Sequence, residues 1–367
     1  MCLTHGWEFS AIQITGNTRE HPWGDFEEPD YLVTLSDHQD GKTPQFKDRK
    51  RLNTVLDQLN PTHVAIPGWG FDFSRYALAW CRSRRRAAIL MSESKYNDAR
   101  RVWWKELIKE HSVIRHFDSA IVGGQLHRDY LERMGCHPKK IFSGYDVVNN
   151  QYYQSTTSQY QDQPDLVWQP DEIRDRRVVL SVNRFIPRKN LAVLITAFSN
   201  FLNSLETPSK KSWRLVLLGE GQEKSNLEAL SCQLGIQEHV LFPGFRSYQE
   251  IPKWYASSEI FVHPASAEQW GLVVNEAMAA GLPSIVSNRC GCYPDLILED
   301  QTGLGFTPTD VGQLTQQLQK LAASRELRSR LGAAGRSHIF TKFSSEAFGR
   351  GLYDCVKVAG TRIRKSV

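Results

Sequence analysis

Two carboxylates, Glu268 and Glu276, stand eight positions apart in a run, 267–278, that reads Ala-Glu-Gln-Trp-Gly-Leu-Val-Val-Asn-Glu-Ala-Met. The run follows an apolar stretch with strand character and opens a helix whose end is marked by Gly281 and Pro283. With the helix starting near Gly271, the amides of Gly271, Leu272 and Val273 point out of its positive end, where a diphosphate is favourably bound. Glycine at the opening lets the phosphate approach the backbone closely. Glu276 lies about five residues further in, roughly 7 Å along the axis, and leans back toward the helix start, the distance of a ribose beside the phosphates. Glu268, in the loop ahead, then faces the other end of the ligand, where sugar hydroxyls need an acceptor. The plain alternative is an exposed glutamate on an amphipathic helix beside an unrelated loop glutamate; Pro264, Gly271 and the 281–283 turn weigh against it.

A second constellation is the run 181–190, Ser-Val-Asn-Arg-Phe-Ile-Pro-Arg-Lys-Asn, where a strand ends in a loop carrying three cations and then enters a helix. Cations there sit at the carboxyl edge of the sheet, where open α/β folds bind ligands. Arg184 clamps phosphate with a planar fork and Lys189 adds a point charge. A departing nucleoside diphosphate gains negative charge, so preorganised cations at this place stabilise its transition state. Surface charges flanking a loop are the alternative.

The elements that must position these residues are legible as alternation. Strand candidates at 11–14, 63–67, 87–91, 119–122 and 140–142 alternate with helical stretches in the first half, which predicts a parallel sheet with helices on both faces. A polar stretch over 149–175, rich in Gln, Ser, Thr and Pro, reads as an interdomain linker. Alternation then restarts: strands at 177–182, 213–218, 239–242, 260–263 and 284–287, helices at 191–202, 224–234, 250–256, 271–280 and 310–323, a second doubly wound domain. A helix over 344–358, begun by a serine cap, is expected to cross back to the first domain. The expected fold class is α/β, with two Rossmann-like domains facing across a cleft: 1–160, 161–343, and the returning helix 344–367.

A chain of 367 residues with 41% hydrophobic and 11% aromatic residues suits two such domains and argues against disorder. The net charge of +5 is mild, but Arg82, Arg84, Arg85, Arg86, Arg100 and Arg101 crowd one region. That cluster is either a solvated helix flank or a patch for an anionic neighbour, such as a membrane surface or an acidic substrate. Nucleic acid is disfavoured, since no aromatic or helical reading element accompanies it. Seven cysteines without a CxxC pair fit a reducing cytoplasm. Residues 1–10 lack an apolar signal core and no apolar run is long enough to cross a bilayer, so the expected membrane contact is peripheral, at the inner face.

The 184–190 and 268–276 segments, set in a second Rossmann-like domain, resemble glycosyltransferase family 4. Leu217-Leu218-Gly219-Glu220-Gly221, Phe242-Pro243-Gly244-Phe245 before Tyr255, and Phe261-Val262-His263-Pro264 support the resemblance, which covers roughly 87 to the C-terminus and is strong over 178–303. It implies the GT-B fold and transfer from a nucleotide diphosphate sugar with retention of anomeric configuration. Glu268 looks like the first glutamate of the family's E-x7-E motif, contacting the transferred sugar, and Glu276 like the second, holding the ribose. Arg184 and Lys189 look like its diphosphate-binding pair, and Gly244-Phe245 lies where the base is received. Gly219 and Gly221 are read either as a strand-to-helix turn or as ligand contacts. No cofactor or metal is expected, since no DxD, HExxH or Cys/His ligand set occurs.

Two features depart from the family. Members begin with a strand and a glycine loop over the donor phosphates, whereas this sequence reaches its first strand candidate past that point, so that strand and loop are read as missing. The family's Gly-Gly pair before a carboxylate occurs as Gly291-Cys292-Tyr293-Pro294-Asp295, with one glycine lost. For the acceptor, a glycan or lipid-linked hydroxyl of polysaccharide biosynthesis, the first half offers Glu93 after the 87–91 strand and His127 beside Gly123-Gly124. Glu93 is equally well a capping or ion-paired group, and His127 a structural one. Trp103-Trp104 with Leu107 and Ile108 reads as core rather than a lipid contact. Competing functions are a nucleotide-sugar-binding protein without activity, partnering another enzyme, and a GT-B nucleotide-sugar epimerase.

Overall fold

The computed structural model describes residues 6–14, 29–35, 48–98, 104, 111–163 and 173–363. Arg100, Arg101, Trp103, Leu107 and Ile108 lie outside them. The chain divides into two compact units, Met1–Tyr145 together with Glu346–Val367, and Asp146–Ser345.

The first unit holds a parallel sheet of β3 (His63–Pro67), β4 (Ala87–Ser92), β5 (Ser119–Val122) and β6 (Ile141–Ser143), in that spatial order. A separate parallel pair, β1 (Ala11–Gln13) and β2 (Leu32–Thr34), precedes it. Side chains alternate between faces along a strand. Ala88, Leu90 and Val122 accordingly join one core with the Arg49–Leu59 and Asp72–Ser83 helices, while Ile89 and Ile121 face the other side. That side is covered by the C-terminal helix, Ser345–Ile363, through Phe348, Leu352, Cys355 and Val356. The Ser119 hydroxyl donates to the carbonyl of Cys355 at 3.0 Å. The helix therefore belongs to the first unit.

The second unit is a six-stranded parallel sheet: β7 (Arg177–Val182), β8 (Trp213–Leu218), β9 (Val240–Gly244), β10 (Ile260–His263), β11 (Ser284–Ser287) and β12 (Leu304–Phe306). The spatial order β12-β11-β10-β7-β8-β9 is the doubly wound order, with the winding reversing between β7 and β10. Strands buried on both faces need continuous apolar runs. Val178, Leu180, Val216 and Leu218 enter one core, and Val179, Leu215 and Leu217 the opposite one.

The 149–175 segment differs from the expected linker. Asn150–Asp162 is a helix, started by Asn149, whose side chain accepts from the Tyr152 amide at 3.0 Å. Tyr153 sinks into the second unit's core, and the Asn150 amide group donates to the Phe343 carbonyl at 2.9 Å. The helix therefore packs as part of the second unit from its first turn; residues 164–172 lie outside those described.

Candidate functional site

The reversal between β7 and β10 brings two loops to one crevice at the carboxyl ends of the strands, the ligand position of an open α/β sheet. The loop after β7 carries Asn183 to Asn190, and the loop after β10 carries Pro264 to Gly271. Hydrogen bonds fasten one to the other. The Ser266 amide donates to the Arg188 carbonyl at 2.9 Å, and the Asn190 side chain donates to the carbonyls of Pro264 at 3.1 Å and Pro308 at 2.9 Å.

Glu268 occupies the middle of this junction and is only 9% exposed. Arg188 Nη1 donates to Oε1 at 3.2 Å, the Lys189 ammonium donates to Oε2, and His263 Nε2 lies 3.5 Å from Oε2. Burial pushes the Glu268 pKa up, but the neighbouring His263 and Lys189 outweigh it and hold the carboxyl well below its ordinary range. His263 ends the buried β10 and is fully enclosed; burial lowers its pKa, which favours the neutral ring. Of the expected cations, Lys189 is thus engaged with Glu268. Arg184 is exposed, and among the described residues its guanidinium has no partner.

Gly271 caps the Leu272–Ala279 helix with φ 110° and ψ 63°, a left-handed conformation that other residues adopt rarely. A Cβ there would stand 3.3 Å from His263 Nε2 and 3.5 Å from Glu268 Cγ, wedged between imidazole and carboxylate. Among the described residues no acceptor takes the amides of Gly271, Leu272 or Val273, and Leu272 is exposed. Glu276 follows one turn on, partly buried, and accepts from the Tyr255 hydroxyl at 2.9 Å. Burial raises its carboxyl to about 7, against the lowering effect of the Tyr255 and Tyr153 hydroxyls. A third loop, after β11, closes onto this segment. The Gly291 amide donates to the Glu268 carbonyl at 3.1 Å and the Cys292 amide to that of Trp270 at 3.2 Å.

Gly244 ends β9, beside the loop after β8: the Gly219 amide donates to its carbonyl at 3.1 Å, and the half-exposed Phe245 follows. Gly219 takes φ +135°, and a Cβ on it would meet the Asn183 carbonyl oxygen at 1.8 Å. Close backbone approach to the β7 loop accounts for it, as it does for Gly221 against Phe185. In the first unit, Glu93 follows the carboxyl end of β4 and Ser94 donates its amide to the Ser92 hydroxyl at 3.3 Å. His127 is fully buried and its Nδ1 accepts from the Gly124 amide at 3.2 Å, a helix-starting role. Trp104 is half exposed. Among the described residues no group of three His, Cys, Asp or Glu is placed to hold a metal ion, and no helix is long and apolar enough to cross a membrane.

Arg188, His263, Tyr255 and Tyr153 carry more of the site than their sequence neighbourhood suggested. His263 had a readable signal, a polar residue closing an apolar strand at the ligand edge of the sheet. Arg188 was one cation among three, and the two tyrosines lie far from Glu276 in sequence.

Residues 162–338 match the family model of glycosyl transferases group 1. Over 44% of this chain the sequence is 34% identical to sulfoquinovosyl transferase SQD2 of Arabidopsis thaliana, covering 30% of that protein. It is 30% identical to a GDP-mannose-dependent alpha-(1-6)-phosphatidylinositol monomannoside mannosyltransferase of Mycolicibacterium smegmatis, over 44% of this chain and 43% of the relative. The chain thus spans less than half the length of these curated relatives. Among solved structures, sucrose-phosphate synthase from Thermosynechococcus elongatus superposes with a TM-score of 0.72 at 20% identity, covering 97% of this chain and 91% of that one. Anabaena Alr3699/HepE in complex with UDP gives 0.67 at 16% identity, covering 92% and 86%. The fold is that of the GT-B glycosyltransferases: mixed α/β, with parallel sheets in two Rossmann-like units.

Proposed function

We propose that the protein is a retaining, metal-independent glycosyltransferase of family 4 that moves a sugar from a nucleotide diphosphate donor to a hydroxyl of a glycan or lipid-linked acceptor. The observation that carries this reading is the junction at Glu268. A buried carboxylate held by Arg188, Lys189 and His263 stands immediately before a helix opened by a left-handed glycine with unengaged amides. Those amides and the Arg184 guanidinium receive the diphosphate. Lys189 lies between carboxylate and phosphate. Glu276 accepts from the ribose, Gly244 and Phe245 border the base, and Glu268 accepts from hydroxyls of the transferred sugar.

In the reaction the acceptor oxygen bonds to the anomeric carbon as the bond from that carbon to the diphosphate oxygen breaks, on the same face. The departing diphosphate takes the acceptor proton. Its growing charge is met by fixed cations and helix amides, which need no metal to act. The first unit is assigned the acceptor, with Glu93 as a polar contact. The site of action is the cytoplasm, with peripheral contact to an anionic membrane; nucleic acid is not a partner.

The test is release of nucleoside diphosphate from a panel of nucleotide sugars, with EDTA and with a Glu268→Ala control. Turnover that survives EDTA and is lost in the variant supports the proposal. Equal turnover by Glu268→Ala discards the assignment. Sugar interconversion without acceptor would identify an epimerase, and binding without turnover a partner protein.

A further inference from the structure

Four tyrosines run inward to Glu276. Tyr152 and Tyr248 stack at 4.6 Å with rings 13° apart. Tyr153 meets Tyr248 edge-on at 5.6 Å and Tyr255 edge-on at 6.0 Å. The last of them, Tyr255, donates to Glu276 Oε2. Tyr153 comes from the Asn150–Asp162 helix, which packs on both the helix bearing Tyr255 and the helix bearing Glu276.

Tyr153 is 1% exposed. Its hydroxyl, which with that of Tyr255 works against the rise in the Glu276 pKa, makes no hydrogen bond of normal geometry with any described residue. An enclosed hydroxyl without a partner is unfavourable, and such groups are few in folded proteins. Among the described residues the side-chain hydrogen bond of normal geometry to Glu276 is the one from Tyr255, to Oε2.

We infer that Tyr153 is a positioning residue: its hydroxyl completes, with Tyr255, a two-donor clamp on Glu276 when the carboxylate turns to accept the ribose hydroxyls of a bound nucleotide. The inference rests on the proposed ribose contact of Glu276. Tyr153, Tyr248 and Tyr255 are the titratable groups facing Glu276 from the helices and loop packed on it. Against burial, hydroxyl donors are therefore what favours the charged form, and losing one makes ionisation harder.

The test uses the full chain and whichever of UDP, GDP and ADP binds, with its 2′,3′-dideoxy counterpart. The ratio of the two dissociation constants isolates the ribose contact, because both nucleotides carry the same titrating diphosphate. In the native protein the preference for the ribonucleotide holds at high pH and fades as pH falls through the Glu276 midpoint. In Tyr153→Phe that midpoint moves to higher pH, by roughly one unit, since a hydroxyl donor to the charged form is gone. Tyr255→Phe moves it in the same direction. A purely structural role would weaken both nucleotides alike at every pH with the midpoint unmoved, and that result overturns the inference. If the native protein binds the diphosphates without preferring the ribose form, the Glu276 contact is wrong and the inference falls with it. If no nucleoside diphosphate binds at all, the donor-site proposal itself is overturned.

Discussion

Replacing Glu276 with glutamine should make the protein more stable at alkaline pH while removing its grip on the nucleotide. The carboxyl is raised from 4.5 to about 7 by burial, and the Tyr255 hydroxyl that opposes the shift does not cancel it. At about 1.4 kcal/mol per unit, the cost of ionising it in the folded state is about 3 kcal/mol. The sign follows from linkage: the folded state holds this proton more tightly than the unfolded one. Its contribution to stability is therefore fully present below pH 4.5, declines as pH rises, and is gone above about 7. Glutamine is isosteric, never ionises, and can still accept from Tyr255. Urea denaturation of native and variant proteins at pH 5 and pH 8 would measure the difference. The variant's advantage should grow by about 2.5 kcal/mol between the two, or roughly 5–10 °C in a unit of this size. Affinity for nucleoside diphosphate should fall in the same variant, the usual trade where a site is held at a cost to stability. A pH-independent difference, or a variant that loses ground as pH rises, would refute the picture of a buried carboxyl kept ready for a ligand.

Glu268→Ala should act oppositely on stability. It strands Lys189, Arg188 and His263 without their carboxylate, so a loss of about 3–5 kcal/mol is expected by urea denaturation at neutral pH. Because the folded pKa of Glu268 is depressed, this stabilisation exists above the ordinary carboxylate pKa and fades as pH falls, so native and variant curves should converge in acid. Arg184→Ala should leave the melting temperature unchanged, since the side chain is exposed and has no partner among the described residues. It should weaken nucleoside diphosphate binding by about 10- to 100-fold, the worth of one charged hydrogen bond, as read by calorimetry.

What could be read in advance follows from how local each signal is. Buried parallel strands announce themselves as apolar runs, so β7, β8, β10 and β11 fall on the expected segments. Gly271 was legible as the opening of a helix after an apolar strand, and the structure adds that it takes the left-handed φ of 110°. The Asn150–Asp162 helix was not: its inward face is made by Tyr153, Thr157 and the polar Asn150, so no hydrophobic period marks it. Its role is decided by partners more than ninety residues away, Tyr248, Tyr255 and Glu276, which only the folded chain brings together. The same holds for Lys189. Its charge pointed to phosphate, but the backbone bonds that tie the β7 loop to the β10 loop set its ammonium on Glu268 first. Sequence thus marks the residues that end strands and open helices at the carboxyl edge of the sheet. The ionisation states that would govern binding come from long-range burial, which is why Glu268 and Glu276, alike in sequence, are driven to opposite sides of their ordinary pKa.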